Sequence, residues 1–385
     1  MNILIVHNQY QSKGGEDSVV ENEIKLLKDN GHKVDLYTRS NTEINGFFSK
    51  IKTALNSTFS YKTFNHFNNT PILEKYDIIH VHNFFPLITP SIFYAAKRKN
   101  TPIVMTLHNY RLICPSALLM HKNKIYEKSL IYGPYSTVLD KVYNNSLIGT
   151  FFVAKMINHH QKRGTWNNTV DRLIALTNFG KQKFIDSGIN ENKIVVKPNF
   201  VHDIRNAQSN KKKFALFVGR ISEGKGIDSL IKAWDNINYK LLIVGDGPLK
   251  SKVLSTNNKN INYLGEKSRT EVLELMNKAS FLLLPSIWYE GLPMVLIEAL
   301  CAGLPVVGSR IGTIEETIKN NVTGLLFETN NPADLRTKVN KLINDKNLLN
   351  TLSINARKEF LDKFNAEKNY NLLIEIYKDV IKLKK

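Results

Sequence analysis

The sequence of 385 residues has little cysteine and no long apolar run. Its two cysteines, Cys114 and Cys301, lie far apart, which excludes a disulfide framework and a cysteine zinc site and suits a reducing cytoplasm. No apolar stretch approaches the roughly 18–20 residues that cross a bilayer. The chain starts with an apolar segment and no basic leader, so a signal peptide is not expected. These absences predict a cytoplasmic protein, with peripheral attachment to the inner face of the cytoplasmic membrane left open.

Acidic residues are scarce relative to basic ones. The chain has 34 Asp and Glu against 53 Lys and Arg, which gives a formal net charge of +19. This excess is spread over both halves, without an Arg-rich tail or a zinc-finger, basic-zipper or aromatic RNA-binding signature, so no nucleic-acid partner is predicted. Anionic lipid and phosphorylated small substrates explain the charge more simply.

Short apolar runs alternate with helical patterns from end to end, which is typical of parallel sheets covered by helices. The predicted strands cover residues 3–6, 33–37, 78–81, 103–106 and 173–177 in one series, and 214–218, 240–244, 262–264, 281–284, 305–307 and 324–327 in a second. We therefore expect an α/β protein with two Rossmann-like domains. Residues 1–200 form the first domain and 201–367 the second, with a polar linker over 202–213. A terminal helix over 368–385 has one apolar face and is expected to pack back on the first domain.

The segment 285–306 carries the strongest local pattern, PSIWYEGLPMVLIEALCAGLPV. Its order is strand, loop, helix and strand. Glu290 lies on the loop at the carboxyl end of a strand, where open α/β sheets bind ligands, and Glu298 lies within the following helix. Free N–H groups and the positive dipole end at the start of that helix suit an anion. Two glutamates alone are more often surface or salt-bridged groups.

A glycine-rich loop makes a ligand-binding role for the two glutamates more credible. The stretch VGRISEGKG over 218–226 follows a strand and precedes a helix. It places Arg220 and Lys225 five residues apart, and two fixed cations on such a loop suit a diphosphate. No Asp-x-Asp pair occurs, so neither a metal ion nor another cofactor is predicted.

Together these motifs resemble family 4 of the retaining GT-B glycosyltransferases, over nearly the whole chain and most specifically over 214–328. The resemblance implies two Rossmann-like domains that face each other across a cleft, with the nucleotide-sugar donor bound by the second. Arg220 and Lys225 would neutralise the donor diphosphate, Glu298 would bind the ribose hydroxyls, and Glu290 would hold the transferred sugar. The whole implied donor site comprises Gly14, Gly15, Arg220, Lys225, Gly265, Glu290, Gly291, Leu292, Pro293, Met294 and Glu298.

The first domain carries matching features. The loop over 8–17 contains Gly14 and Gly15 and is similar to the family's loop that faces the donor phosphates, although a plain strand-to-helix turn explains it too. His108 follows a predicted strand and resembles the family's histidine beside the reacting centre; a histidine that caps the strand is the alternative. His82 is expected to be structural or to lie in the acceptor cleft. The implied catalytic residues are His108, Arg220, Lys225 and Glu290.

The resemblance also implies the reaction. It is transfer of a hexose or N-acetylhexosamine with retention of anomeric configuration, by a same-face route that needs no metal and no conventional base. UDP-sugar is the preferred donor, and the acceptor is a glycan or a polyprenyl-diphosphate-linked saccharide of a cell-surface polysaccharide. A GT-B sugar-nucleotide epimerase is the first alternative. An NAD-dependent enzyme is less well supported because the first loop lacks Gly-x-Gly-x-x-Gly.

Two stretches exceed a minimal Rossmann domain. In 47–59, apolar residues recur every four positions beside Lys50, Lys52 and Lys62, with no acid from 44 to 73. A helix packed on its own sheet is slightly favoured there over a basic amphipathic helix on an anionic membrane. In 146–166, His159 and His160 lack a carboxylate at ligand spacing, so a solvated helix end is favoured over a metal site.

Overall fold

A computed structural model describes residues 1–11, 14–203, 205 and 211–384. The chain divides into two compact units, the first made of Met1–His121, Tyr126–Pro198 and Asn369–Lys385, and the second of Lys122–Ile125 and Asn199–Lys368. The expected domain boundaries lay after 200 and before 368. Ser12 and Lys13 of the first glycine loop, and half of the linker expected over 202–213, lie outside the described residues.

The strands of the first 200 residues are β1 (Asn2–Gln9), β2 (Lys33–Ser40), β3 (Ile78–Asn83), β4 (Ile103–Leu107), β5 (Met120–His121), β6 (Lys124–Ile125), β7 (Arg172–Ala175) and β8 (Ile194–Val196). Six of them form a sheet in the order β2-β1-β3-β4-β7-β8, and every pair in it is parallel. The sequence did not predict β8, because three residues are too short a run to stand out.

The helices of this region are α1 (Gly15–Asp29), α2 (Gly46–Asn56), α3 (Tyr61–Asn68), α4 (Ser91–Arg98), α5 (Lys128–Tyr132), α6 (Leu147–Lys162), α7 (Thr165–Thr169) and α8 (Asn178–Asp186). Short 3-10 turns cover Asn41–Glu43, Pro71–Lys75, Pro134–Thr137 and Glu191–Lys193. Capping fixes several of these starts. At α8, for example, the Thr177 hydroxyl accepts a hydrogen bond of 3.0 Å from the Gly180 amide, which satisfies a donor that the helix leaves free.

The second sheet and its helices follow the same alternation. The strands are β9 (Ala215–Val218), β10 (Leu241–Val244), β11 (Ile261–Gly265), β12 (Phe281–Leu284), β13 (Val306–Ser309) and β14 (Gly324–Phe327). The helices are α9 (Ile227–Trp234), α10 (Lys250–Leu254), α11 (Arg269–Lys278), α12 (Met294–Cys301), α13 (Gly312–Thr317), α14 (Pro332–Asn344), α15 (Lys346–Lys363) and α16 (Ala366–Lys382), and one 3-10 turn covers Glu223–Lys225. All six strands of this series were predicted, and the two six-stranded parallel sheets confirm the expected fold class.

Strand order locates the place where a ligand can bind in each unit. The second sheet runs β11-β10-β9-β12-β13-β14, so the direction of winding reverses between β9 and β12. In the first sheet the reversal falls between β1 and β3. A crevice opens beyond the carboxyl ends of the strands at such a point, because the adjoining connections depart to opposite faces of the sheet.

The second sheet buries both of its faces. Phe217 and Phe281 pack with Trp234 of α9 on one face, whereas Leu216 and Leu282 contribute to the core on the other. Neighbouring residues of a strand point to opposite faces, so the continuous apolar runs read from the sequence are what a doubly covered sheet requires.

The end of the chain completes the core of the first unit. Leu373, Tyr377 and Val380 of α16 recur at helical spacing and pack in one buried cluster with Ile3 and Ile5 of β1. Near the start of this contact, the Asn369 side chain donates a hydrogen bond of 2.6 Å to the Pro198 carbonyl.

Helix α2 does not pack its apolar face on the sheet, so that interpretation of 47–59 is wrong. No residue of α2 is buried, and Phe47, Phe48 and Leu55 are 72%, 86% and 63% exposed. Within the described residues, no helix is both long and apolar enough to cross a membrane.

The histidine pair of α6 also differs from expectation. His160 is fully buried, and its two ring nitrogens lie 2.9 Å from the Thr165 hydroxyl and 2.9 Å from the Thr58 carbonyl. Because both nitrogens are satisfied by its own unit, His160 is a core residue, and the predicted solvated helix end is wrong at this position.

Candidate functional site

The adjacency of β9 and β12 brings together two predicted residues that are 65 positions apart. Lys225 lies on the loop that leaves β9, and Glu290 on the loop that leaves β12. The Lys225 ammonium donates to Oε1 of Glu290 at 2.5 Å. The two side chains are 18% and 9% exposed, so the pair is largely shielded yet still reaches solvent.

Glu290 is held by two further donors from its own loop. The Ser286 hydroxyl and the Trp288 indole N–H donate to the same Oε1 atom at 2.7 and 2.8 Å. The indole ring also lies beside Lys225, with the ammonium 5.5 Å from its centroid. All three hydrogen bonds converge on Oε1, and within the described residues Oε2 accepts none.

Glycine is required where the two loops meet. Gly226 has a φ of +70°, and a Cβ at this position would lie 1.8 Å from the Pro285 carbonyl oxygen. The Ile287 amide donates to the Gly224 carbonyl at 2.9 Å and ties the loops together. The glycines therefore allow the close backbone approach that places Lys225 against Glu290.

Arg220 and Glu298, two other predicted donor residues, do not join this pair. Arg220 is exposed on the β9 loop. Glu298 lies one turn into α12, 13% exposed, with its carboxylate 3.7 Å from Arg269. Burial raises the pKa of Glu298, and the Arg269 guanidinium partly offsets this. A ligand would have to supply the link between these residues and the Lys225–Glu290 pair.

The predicted backbone contacts lie between β12 and α12. Leu292 is buried and its carbonyl accepts a hydrogen bond of 3.1 Å from Asn199, while Gly291, Pro293 and Met294 are half-buried. Pro293 caps α12, so the amide groups of the first helical turn follow it and have no partner within the helix. Gly265 ends β11 with a φ of +71°, and its carbonyl accepts a hydrogen bond of 2.8 Å from the Gly245 amide.

The predicted residues Gly14 and Gly15 belong to the first unit and lie exposed at the start of α1. The Gly14 amide donates to Asp17 at 2.8 Å, and the other carboxylate oxygen of Asp17 lies 2.9 Å from His7. Burial and repulsion by Asp17 raise the pKa of Glu16 to about 8. The turn therefore presents a carboxyl group that is largely protonated at neutral pH.

His108, the predicted catalytic histidine, lies directly after β4 and is half-buried. Its Nε2 atom lies 2.9 Å from Nδ1 of His82, and Nε2 of His82 lies 3.1 Å from Oε1 of Glu23. Burial lowers the pKa of His82 to about 3 and holds that of His108 well below its ordinary value. Both rings are therefore neutral at physiological pH.

Glu23, His80 and His82 are buried and offer ligand atoms within 4.8 Å of one another, which is the spacing of a metal site. The Lys197 ammonium, however, lies 3.1 Å from the second oxygen of Glu23. This buried ammonium already balances the carboxylate, and a divalent ion beside it would meet its repulsion. The cluster is better explained as a Lys197–Glu23 ion pair that His80 and His82 contact through the Glu23 carboxylate.

Sequence reasoning missed several of these residues. Ser286 and Trp288 lie inside the recognised segment, and their proximity to Glu290 was the one available signal. Arg269, Glu23 and Lys197 carried no signal, because each meets its partner only through folding: Glu23 and Lys197 are 174 positions apart.

Comparison with known proteins agrees with the geometry. Residues 13–205 match the model of Glycosyltransferase Family 4, and residues 201–359 match that of Glycosyl transferases group 1. An uncharacterized glycosyltransferase of Methanocaldococcus jannaschii is 29% identical over 99% of both chains. The N-acetyl-alpha-D-glucosaminyl L-malate synthase of Bacillus anthracis is 24% identical over 97% of this chain and 96% of its own. The UDP-Gal:alpha-D-GlcNAc-diphosphoundecaprenol alpha-1,3-galactosyltransferase of Escherichia coli is 30% identical over 36% of this chain and 37% of its own.

Solved structures share the whole fold. Anabaena HepE in complex with UDP-glucose has a TM-score of 0.69 and 16% identity, covering 98% of this chain and 100% of that one. Sucrose-phosphate synthase of Thermosynechococcus elongatus has a TM-score of 0.71 and 17% identity, covering 99% of each chain. At this identity the likeness establishes the architecture, two Rossmann-like domains of the GT-B type. With both halves matched by family models, the chain belongs to glycosyltransferase family 4.

Proposed function

We propose that this glycosyltransferase moves a hexose or N-acetylhexosamine from a UDP-sugar to a glycan or lipid-linked saccharide in cell-surface polysaccharide synthesis. It acts with retention of anomeric configuration and without a metal ion. The observation that carries the proposal is the Lys225–Glu290 pair at the strand-order reversal of the second unit, with Arg220 on the same loop.

The charges at this place suit the departure of a nucleoside diphosphate. As the sugar leaves, negative charge grows on the phosphate, and the fixed Lys225 ammonium and Arg220 guanidinium stabilise it. Oε2 of Glu290 accepts hydrogen bonds from the sugar hydroxyls, helped by the backbone from Gly291 to Met294. Two cations and a helix start supply the positive charge that a metal ion would otherwise provide.

The remaining predicted residues have supporting roles. Glu298 binds the ribose hydroxyls and Gly265 lies beside the base. The loop with Gly14 and Gly15 approaches the phosphates, and His108 orients a sugar or acceptor hydroxyl. In the same-face route the departing phosphate oxygen takes the proton of the acceptor hydroxyl, the anomeric carbon–oxygen bond to phosphate breaks, and the bond to the acceptor forms on the same face.

The named relatives support the choice of donor and acceptor. HepE binds UDP-glucose, and the galactosyltransferase of Escherichia coli uses UDP-Gal and a GlcNAc-diphosphoundecaprenol. Both are consistent with a UDP-sugar and a polyprenyl-diphosphate acceptor here. GDP-mannose is the main alternative donor.

A thermal-shift panel of UDP, GDP and their sugars tests the donor. A ligand that binds only the folded protein stabilises it by about 2.7 kcal/mol at a hundredfold excess over Kd, so UDP and one UDP-sugar should raise the melting temperature. Stabilisation by the GDP series alone would replace the UDP assignment, and stabilisation by neither would contradict the donor site.

Transfer itself is measured with labelled UDP-sugars and a short-chain polyprenyl-diphosphate GlcNAc, with and without EDTA. We expect a product whose new linkage has the anomeric configuration of the donor, at a rate that EDTA does not change. Incubation of donor without acceptor separates the alternative, since rapid conversion of the sugar to its epimer would identify an epimerase.

Helix α2 supports a further part of the proposal, contact with an anionic membrane. Phe47, Phe48 and Leu55 project to solvent, Lys50 and Lys52 lie on the same helix, and all are exposed. Helix α6, which contacts α2, carries further exposed apolar side chains in its first turns, namely Leu147, Ile148 and Phe151. Apolar rings flanked by lysines suit the headgroup region of an anionic bilayer, where a lipid-linked acceptor resides.

Co-sedimentation with phosphatidylcholine vesicles, with and without phosphatidylglycerol, tests this contact. Neutralising Lys50, Lys52 and Lys62 should weaken binding to anionic vesicles by up to about 100-fold, at about 1 kcal/mol for each lysine. A matched variant neutralises Lys252, Lys259 and Lys346, which are exposed on the second unit. Equal binding by the two variants would contradict the assignment of α2.

A further inference from the structure

A buried column of side chains stands behind His108 in the first unit. Glu23 of α1 contacts His82 of β3, and His82 contacts His108 after β4, at 3.1 and 2.9 Å. Glu23 and His82 are 1% and 2% exposed. His108 is half-buried, so the column leads from the sealed core to the edge of the sheet where the two strand connections diverge.

The carboxylate at the bottom of the column is ionised. Burial alone would raise the pKa of Glu23, but the Lys197 ammonium 3.1 Å away, together with His80 and His82, outweighs this and holds the pKa well below its ordinary value. Lys197 is anchored in turn by the Asn369 side-chain oxygen at 3.0 Å. An ionised carboxylate has no proton to give, so Glu23 can only accept hydrogen bonds.

The ionised Glu23 carboxylate determines which nitrogen carries the proton, first on His82 and then on His108. His82 must donate from Nε2 to Glu23, and a neutral ring then has only a lone pair at Nδ1. That lone pair accepts a hydrogen bond from Nε2–H of His108. A neutral His108 therefore carries its one proton on Nε2, and its Nδ1 is a bare acceptor. Among the described residues, Nδ1 of His108 has no hydrogen-bond partner.

A second histidine faces the same carboxylate. Nδ1 of His80 lies 2.9 Å from Oε1 of Glu23 and 2.7 Å from the Tyr377 hydroxyl, and its Nε2 lies 2.7 Å from the Thr106 hydroxyl. His80 thus has partners on both nitrogens and does not contact His108. His80 contacts the Glu23 carboxylate but lies outside the path from Glu23 through His82 to His108, so it does not change which nitrogens of those two rings are protonated.

We propose that Glu23 is a positioning residue that acts through His82 to hold His108 in the Nε2–H tautomer, with Nδ1 offered as a hydrogen-bond acceptor to a ligand hydroxyl. That this hydroxyl belongs to a sugar or its acceptor rests on the proposed function. The tautomer itself does not, because the contacts within the first unit determine it.

Substitution of Glu23 by Gln should reverse the direction of the hydrogen bonds that run from residue 23 through His82 to His108. The Lys197 ammonium requires an oxygen, so it holds the amide oxygen of the glutamine on its own side and turns the NH2 group toward His82. His82 then accepts at Nε2 and donates from Nδ1, and His108 becomes the Nδ1–H tautomer. The group offered to the ligand changes from an acceptor to a donor.

Long-range 15N–1H correlation spectra of imidazole-labelled protein measure the tautomer directly. The His108 signals are assigned by their loss in His108→Asn. We expect the Nε2–H pattern in the wild type and in Glu21→Gln, an exposed position on the same helix, and the Nδ1–H pattern in Glu23→Gln. An Nδ1–H pattern in the wild type, or an unchanged pattern in Glu23→Gln, would overturn the proposal.

The tautomer of His108 in a second variant and the transfer kinetics of the Glu23 variants test the proposal further. If Glu23→Gln does not fold, His82→Gln leaves the Glu23–Lys197 pair intact and should give His108 as a mixture of both tautomers; a pure Nε2–H pattern there contradicts the column. In transfer assays Glu23→Gln should lower kcat about 10- to 100-fold with little change in donor KM, and Glu23→Asp should recover part of it. A tautomer as predicted with no sugar transfer by the wild type would refute the proposed function and leave this inference standing.

Discussion

Each of the two units contains a lysine–glutamate pair, at the strand-order reversal in the second unit and against His82 of β3 in the first, and the pairs differ in their access to solvent. Lys225 and Glu290 are 18% and 9% exposed, whereas Lys197 and Glu23 are 2% and 1% exposed. A ligand can take over the partners of the first pair. The second is sealed, and its charges can act only on neighbouring protein groups. Burial therefore separates a binding pair from a positioning pair of the same chemistry.

The largest expected effect is on stability, at the sealed pair. Lys197→Met leaves the Glu23 carboxylate buried without its cation, which should lower the free energy of unfolding by about 3–5 kcal/mol. Urea and thermal unfolding measure it.

The matched variant at the accessible pair is Lys225→Met, where Glu290 keeps its hydrogen bonds from Ser286 and Trp288, so the loss should be smaller, about 1–2 kcal/mol. Adding Glu23→Leu to Lys197→Met should restore much of the lost stability, since no buried charge then remains. Similar losses from Lys197→Met and Lys225→Met would remove the distinction between the pairs.

Activity should show the opposite pattern at the accessible pair. Lys225→Ala and Glu290→Ala should each lower sugar transfer by about 100-fold or more, because charge stabilisation of the departing diphosphate or contact with the sugar is lost. Steady-state transfer rates at saturating donor measure this.

Lys252→Ala provides the control, since Lys252 is an exposed lysine of the same unit paired with Asp228 at 2.9 Å. It should transfer sugar at the wild-type rate. Full activity in Lys225→Ala would refute the diphosphate assignment.

Substitution of a loop glycine by alanine should also change the free energy of unfolding differently in the two units. Gly226→Ala places a Cβ 1.8 Å from the Pro285 carbonyl in a left-handed backbone, which should cost about 1–3 kcal/mol or more and displace Lys225. At Gly14 the backbone is extended and a Cβ would meet nothing within 4 Å. Gly14→Ala should leave the unfolding free energy unchanged within about 0.5 kcal/mol.

The Kd of the Gly14→Ala protein for UDP then tests whether Gly14 lies close to the donor phosphates. A weaker Kd for UDP in a fully stable Gly14→Ala protein would support close approach of phosphate to this loop. An unchanged Kd would favour the plain strand-to-helix turn.

The stability of the first unit should also depend on pH. Burial lowers the pKa of His82 to about 3 and that of His160 to about 4, below the value near 6.5 of an unfolded histidine. The unfolded state therefore binds more protons once the pH falls below about 6.5, and stability is lost as the pH falls from 7 to 5. Each such histidine contributes up to about 1.4 kcal/mol per pH unit.

His160→Gln should reduce that slope by one histidine's share, as measured by urea unfolding at pH 7, 6 and 5. The unfolding free energies above pH 7 should show no such difference in slope. Equal slopes for the variant and the wild type below pH 6.5 would show that His160 is not held neutral in the folded protein.

Much of the fold could be predicted because its signals are local. Continuous apolar runs such as Phe281–Leu284 mark strands covered on both faces, and the helical spacing of Leu373, Tyr377 and Val380 marks the face by which α16 packs. Strand β8 was not predicted, because a run of three residues is too short to be distinguished from a loop. Helix α2 was misread because an apolar stripe has the same spacing whether it packs on protein or faces outward.

The sequence by itself determined the two α/β series, the family and the loops that carry Lys225 and Glu290, because glycine, proline and charge stand there at fixed local spacing. Only the tertiary structure decided which side chains meet. Adjacency of β9 and β12 joins Lys225 to Glu290, and packing of α1, β3 and β8 places Glu23 against His82 and Lys197. Burial then decides the proton positions that define His108, because whether a charge is sealed or hydrated depends on neighbours that are distant along the chain.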